Sequence, residues 1–284
     1  MVILRPKRWS QSPPHSVQLN RHLPAGVLGV WLFNEGVPGV IRNLATEGWE
    51  ITSGTIAVGV TARGPAYKHN GTDARANLLD ADDCNTLLPT GGGLTVCLGY
   101  EKQDATLRAS GAFGIGSIFN EVRCGALIPF SDGVVYWDFG GFTEDVTRES
   151  IGGLTTSGYH PWAFTTGPRG MEIWQDGIRK SANSANPTRS AQAQAWQLGT
   201  SVTVGSDLAN YYWFFAHRFQ LPPDLVREIC LAPFGVLVEP QAPRRTFIIP
   251  GSGGGAATGH GTLVGAQRLA RSVARLGTTL AHGA

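Results

Sequence analysis

Cysteine and methionine are scarce in this chain, at four and two of 284 residues. Cys84, Cys97, Cys124 and Cys230 form no C-x-x-C pair. That spacing argues against a zinc site, and four cysteines are too few to staple a chain of this length, so buried thiols are expected. The seven histidines are scattered and include no H-E-x-x-H, which excludes the commonest zinc-hydrolase pattern, and GTSVTVG lacks the spacing of a serine nucleophile elbow. No stretch is long and apolar enough to span a bilayer. Only four apolar residues precede Arg5, too few for the apolar core of an export signal, so a protein made and kept in the cytoplasm is expected. Long runs of helical periodicity are also missing, which disfavours a doubly wound α/β sheet.

What is abundant is glycine, at 38 residues, with 17 prolines and 42% hydrophobic residues. The apolar content suffices for a full core, and the turn formers suit an all-β sandwich of about 200 to 250 residues. Acidic residues are absent from both ends. Residues 1–30 carry Arg5, Lys7, Arg8 and Arg21 with no acid, and residues 240–284 carry Arg244, Arg245, Arg268, Arg271 and Arg275 with no acid. The stretch between them holds 14 basic and 21 acidic residues, near −7. Two basic arms therefore flank an acidic body. They are either solvated tails or arms that dock on an acidic surface such as a neighbouring copy. The basic residues lack the interleaved aromatics of a single-strand groove, so nucleic acid is not expected as a partner.

The centre of the pattern is YHPWAFTTGPRGMEIWQDGIRK, residues 159–180. Trp162, Phe164 and Thr166 alternate with Ala163 and Thr165, a loop follows, and Met171, Ile173 and Gln175 then alternate with Glu172, Trp174 and Asp176. Two antiparallel strands are predicted, then an Asp176-Gly177 turn and the start of a third strand. VLGVWLF (27–33) and YYWFFAHRFQ (211–220) are apolar on both sides, as strands covered on both faces are. Further strands are expected at 55–60, 64–71, 93–100, 112–119, 124–130, 134–139 and 202–206, with residues 93–100 entering a second sheet and residues 181–194 forming an exposed loop. LPPDLVREICL (221–231) reads as one short helix, with prolines in the first turn, Asp224 near the N-terminus, and Leu225, Ile229 and Cys230 as its apolar seam. GSGGG at 251 begins a flexible linker and tail. The expected organisation is an arm at 1–25, a body at 26–250, and a linker and tail at 251–284.

Several of these segments resemble the laminin-G-like, concanavalin A-like jelly-roll family. They are Trp31-x-Phe33-Asn34-Glu35-Gly36, GPAYKHNG at 64–71, the Trp162-x-Phe164 strand with WQDGI after it, and the exit APFGVLVEPQAPRRTFIIP, which is similar to that of laminin-G-like proteins of tailed bacteriophages. The resemblance implies a two-sheet antiparallel jelly roll with one C-terminal helix and extended basic arms. It also implies a virion protein made in the host cytoplasm, partnered by other virion proteins and by copies of itself through Arg5, Lys7, Arg8, Arg244, Arg245, Arg268, Arg271 and Arg275. A calcium site using Asp80, Asp82 and Asp83 is implied by the family alone; as residues these read as turn acids, and no cofactor or metal is expected.

Two other functions are open to this fold. A glycan-binding module on a virion or host surface would use exposed aromatics with polar neighbours, and Trp49, Trp137 with Asp138, and Trp174 with Glu172 and Asp176 are the candidates. A glycoside hydrolase would need two close carboxylates. Glu172 and Asp176 are about 13 Å apart by strand rise, adjacent Glu144 and Asp145 point to opposite faces of an extended chain, and Glu149 completes no E-x-D-x-E pattern. The expectation is a non-enzymatic structural protein with no catalytic residues.

Overall fold

The computed structural model describes residues 18–33, 40–41, 43–45, 51–52, 57–70, 76–80, 84, 88, 90–91, 93–109, 111–115, 123–191, 195–199 and 208–239. Sixteen strands run among them: β1 Val27–Leu32, β2 Val40–Ile41, β3 Ile51–Thr52, β4 Ala57–Thr61, β5 Gly64–Asn70, β6 Ala76–Leu79, β7 Leu94–Lys102, β8 Phe113–Ile115, β9 Cys124–Leu127, β10 Val135–Phe139, β11 Arg148–Ile151, β12 Gly158–Thr166, β13 Met171–Gln175, β14 Ile178–Asn183, β15 Trp196–Leu198 and β16 Leu208–His217. Two short helices close the described chain, α1 Pro223–Leu231 and α2 Pro233–Leu237. The fold is an all-β sandwich of two antiparallel sheets, as expected.

The larger sheet has the order β14-β13-β12-β7-β16-β5-β4, with β1 also pairing β16; the smaller has the order β11-β10-β9-β8-β15-β6. Strand β7 does not enter the second sheet. It lies at the middle of the larger one, between β12 and β16, because its two faces are both apolar enough to be covered. Its Leu94, Val96, Leu98 and Tyr100 join Trp162, Phe164, Ile173 and Phe214 in the core between the sheets. Phe113 of the smaller sheet meets Phe214 edge-on, with ring centroids 5.3 Å apart. Trp137 of β10 donates from Nε1 to the Thr165 carbonyl of β12, 3.1 Å away, which ties one sheet to the other.

A second apolar cluster covers the outer face of the larger sheet and includes Val30, Cys97, Trp174, Trp213, Phe215, Val226, Ile229, Cys230 and Leu237. This explains why β1 and β16 are apolar on both sides: Val30 and Leu32 of β1 and Trp213 and Phe215 of β16 belong to this outer cluster, while α1 lies against β7 and β12. Helix α1 starts at Pro222 and Pro223, with Asp224 in its first turn, and buries Val226, Ile229 and Cys230. Leu225, expected in that seam, is only partly buried, and Val226 takes its place. Residues 233–237, expected at the head of an extended exit, form α2 instead. All four cysteines are buried and none forms a disulfide among the described residues.

The outer face needs two backbone adjustments. A register shift between Tyr211 and Trp213 interrupts the β16–β7 ladder, and Tyr212 and Trp213 both belong to the outer cluster as a result. Gly99 then accepts the indole: a Cβ there would lie 2.3 Å from Trp213 Nε1. The described part of the expected N-terminal arm is held to this face. Leu19 bridges Val238, Asn20 N donates to the Leu237 carbonyl at 3.0 Å, and Glu239 N donates to the Gln18 carbonyl at 2.9 Å. Strands β6, β11 and β15, not expected from the sequence, are four, four and three residues long, too short to show a two-residue period.

Candidate functional site

The alternation along β10 sends Val135, Trp137 and Phe139 into the core between the sheets, and therefore Tyr136 and Asp138 to the outer face of the smaller sheet. Register then sets their neighbours. Asp138 pairs Arg148 on β11 and Gly125 on β9, and Tyr136 pairs Ser150 and Leu127. Gly125 has backbone on its next side as well, since a Cβ there would lie 2.6 Å from the Phe113 carbonyl oxygen.

Asp138, only 1% exposed, accepts from Arg148 Nε at 2.6 Å and Arg148 Nη2 at 2.8 Å. Arg123, just before β9, brings Nε to 3.0 Å from the same carboxylate. One buried carboxylate thus orients two guanidinium groups, whose side chains remain 15% and 17% exposed. Burial pushes the Asp138 carboxyl up, while the hydrogen bonds and charge of Arg148 and the charge of Arg123 pull it down. Burial also pulls Arg123 below its ordinary value; for Arg148 burial acts the same way, but Asp138 outweighs it and raises the pKa.

Aromatic rings lie beside these cations. The Arg148 guanidinium sits 4.2 Å from the Tyr136 ring centre and 5.7 Å from that of Phe142, and Arg123 sits 5.2 Å from Phe142. Phe142 is 45% exposed although large and apolar. Its loop is tied down, with Thr143 N donating to Thr147 Oγ1 at 2.9 Å and Thr147 N to the Thr143 carbonyl at 2.9 Å. At the far end, the Tyr136 hydroxyl donates to Asp132 at 2.6 Å, and the Ser150 hydroxyl donates to Glu144. Burial and the Asp132 hydrogen bond push the Tyr136 phenol up to about 12, so it remains a neutral donor at ordinary pH. The face therefore combines one exposed ring, oriented cationic donors and anionic acceptors.

The other expected site residues fall elsewhere. Trp137, expected to stack on a glycan, is fully buried between the sheets; it shares β10 with Asp138 but points the opposite way. Trp174 is 6% exposed in the outer cluster of the larger sheet, with its Nε1 donating to Glu172. Both are corrected to packing residues. Trp49, the eight arm residues from Arg5 to Arg275, and Asp82 and Asp83 lie outside the described residues. Among the described residues no group of three His, Cys, Asp or Glu is placed to hold a metal ion, and no helix is long and apolar enough to cross a membrane.

The carboxylates considered for hydrolysis are dispersed. Glu172 is sealed, accepting from Thr165 Oγ1 at 2.9 Å, Trp174 Nε1 at 3.1 Å and Arg179 Nη1 at 3.1 Å. Asp176 adopts a left-handed φ of 55° at the turn and lies 3.0 Å from His160 Nδ1. Glu149 is buried and accepts from Ser181 of β14, where the edges of the two sheets meet. Sequence reasoning missed Tyr136, Phe142, Arg123 and Arg148. The period of β10 held the signal for Tyr136, because a two-residue alternation cannot place Trp137 and Asp138 on one face.

No protein-family model matches the chain, and no curated protein sequence matches it. Solved structures of similar fold include Trypanosoma rangeli sialidase in complex with sialic acid, at 14% identity and a TM-score of 0.54, over 75% of this chain and 34% of that one. Domain 4 of AbnA, a GH43 extracellular arabinanase from Geobacillus stearothermophilus, in complex with arabinotriose, is 14% identical with a TM-score of 0.53, over 72% of this chain and 98% of that one. Botulinum neurotoxin type C, whose cell entry depends on interaction with two ganglioside molecules, is 10% identical with a TM-score of 0.51, over 72% of this chain and 50% of that one. The chain spans about a third of the sialidase's length.

These neighbours are glycan-binding or glycoside-acting proteins of jelly-roll-like β fold. They correct the expectation of a non-enzymatic protein, since sialidases and an arabinanase are enzymes. At such identities the likeness is one of fold and assigns no reaction. The expected bacteriophage structural role draws no support from them.

Proposed function

We propose that this chain is a glycan-recognition domain whose binding face is the outer surface of β9, β10 and β11. The observation that carries the reading is Phe142, held 45% exposed by a hydrogen-bonded loop beside two guanidinium groups fixed by one buried carboxylate. Sugars combine apolar C–H faces with hydroxyls that donate and accept. An exposed ring covers the first, and the arginine donors with the Glu144 and Asp132 acceptors meet the second. The arabinanase domain, matched over 98% of its length and solved with arabinotriose, supports the reading.

The test is a glycan array probed with the full chain, the Phe142→Ala variant and the Tyr136→Ala variant. The reading requires binding by the parent and a loss of at least tenfold in both variants. An array on which the parent binds nothing, or on which both variants bind as the parent does, overturns it.

A further inference from the structure

Resting on that reading, we infer that the glycan recognised by this face is acidic, with its carboxylate held between Arg123 and Arg148. Arg148 spends Nε and Nη2 on Asp138, and Arg123 turns Nε to the same carboxylate. Among the described residues, Arg148 Nη1 and both Nη atoms of Arg123 have no hydrogen-bond partner. Two arginines on one aspartate leave one positive charge among the three, partly offset by Glu144 beside Arg148. Asp138 is nearly sealed at 1% exposure, so the unspent N–H groups, not the carboxylate, face a ligand. Such N–H groups fit a planar carboxylate with charge-assisted hydrogen bonds.

Carboxylates border the pair: Glu144 bridges Arg148 through the backbone and its charge acts on both Arg148 and Asp138, while Asp132 lies before β10, beyond Tyr136. Asp132 and Glu144 already accept from Tyr136 and Ser150, and their remaining lone pairs suit hydroxyl donors. A ligand carboxylate is repelled by these acids, so it fits only against the guanidinium N–H groups. The face thus sets unspent guanidinium N–H groups and carboxylate acceptors side by side around Phe142 and Tyr136. A uronic or nonulosonic acid within a glycan matches it, with a carboxylate at one end of the sugar and hydroxyls along the rest.

The experiment compares pairs that differ only in the acid. Full-length protein is titrated calorimetrically with digalacturonate and its carboxyl-reduced counterpart, then with sialyllactose and lactose. A preference of at least tenfold for the acidic member in either pair, reduced to under threefold by Arg123→Gln, is the expected result, and the pair that shows it identifies the kind of acid. The parent comparison needs no variant and does not depend on any variant folding. If the neutral member binds as tightly as the acidic one in both pairs, the acidic-ligand inference is overturned while glycan recognition stands. An acidic preference that Arg123→Gln leaves intact overturns this site for it. Failure to bind any of the four, together with an empty glycan array, overturns both readings.

Discussion

Asp138 grips Arg148 with both carboxylate oxygens across the β10–β11 ladder, at 2.6 and 2.8 Å. The pair lies on the outer face of the sheet yet is almost closed to water, and Arg123 leans on the same carboxylate. Removing the acid alone strands two partly buried cations. Asp138→Ala is therefore expected to cost about 3 kcal/mol in urea unfolding. Asp138→Leu combined with Arg148→Met should cost less than Asp138→Ala, because no unpaired charge remains on that pair. A double variant as unstable as the single one contradicts this.

Phe142 stands apart from the packed aromatics. Its ring is 45% exposed, so Phe142→Ala should change stability by no more than about 0.5 kcal/mol. The same change should weaken glycan binding about tenfold, equivalent to about 1.4 kcal/mol. Thermal unfolding and titration of the same sample separate the two effects, and a large loss of stability would make the ring a core residue.

Trp213 occupies the space above Gly99 on the helix-covered face of the larger sheet, and its Nε1 reaches the Tyr159 hydroxyl at 3.2 Å. Gly99→Ala puts a methyl group where the indole lies and should destabilise by about 1 to 3 kcal/mol. Trp213→Phe in the same background should recover part of that loss, measured by denaturant midpoint. No recovery would place the clash elsewhere.

His217 and Glu149 impose opposite pH dependences. Burial lowers the His217 pKa below 6.5, and its Nε2 faces the Ala25 carbonyl at 3.1 Å while Nδ1 accepts from Phe219 N at 3.2 Å. The neutral imidazole is the folded form, so its contribution is complete above pH 6.5 and is lost as acid protonates the unfolded chain. His217→Gln should flatten the fall in stability just below pH 6.5. Burial raises the Glu149 pKa above 4.5, against the hydrogen bonds of Ser181 and Asn183. Its contribution is most favourable below pH 4.5 and declines as pH rises through the folded pKa. Glu149→Gln should therefore gain most over the parent at neutral pH, and the gain should shrink towards pH 4. Unfolding curves from pH 4 to 8 decide both, and parallel curves for parent and variant would refute either assignment.

Much of the sandwich was legible in local patterns. The hairpin of β12 and β13, the two-faced apolar strands β1 and β16, and helix α1 all announce themselves within short windows, the longest being the hairpin over residues 158–175. Partnering was not legible. Strand β7 looks the same in sequence whether it joins one sheet or the other, and β6, β11 and β15 are too short to carry a period. The short helix α2 also escaped, because PFGVL reads as well for an extended exit as for a turn of helix.

The site divides along the same line. The amino-acid sequence by itself determined which side chains share a face of each strand, because the backbone of a strand turns over every residue. On that ground Asp138 belongs with Tyr136 and not with Trp137. Only the tertiary structure decided that Arg123, Phe142 and Arg148, from a strand entry, a loop and a neighbouring strand, converge on Asp138. Convergence depends on the order in which strands pair, and that order is set by burying both sheets' apolar faces at once, a condition no short stretch of sequence contains.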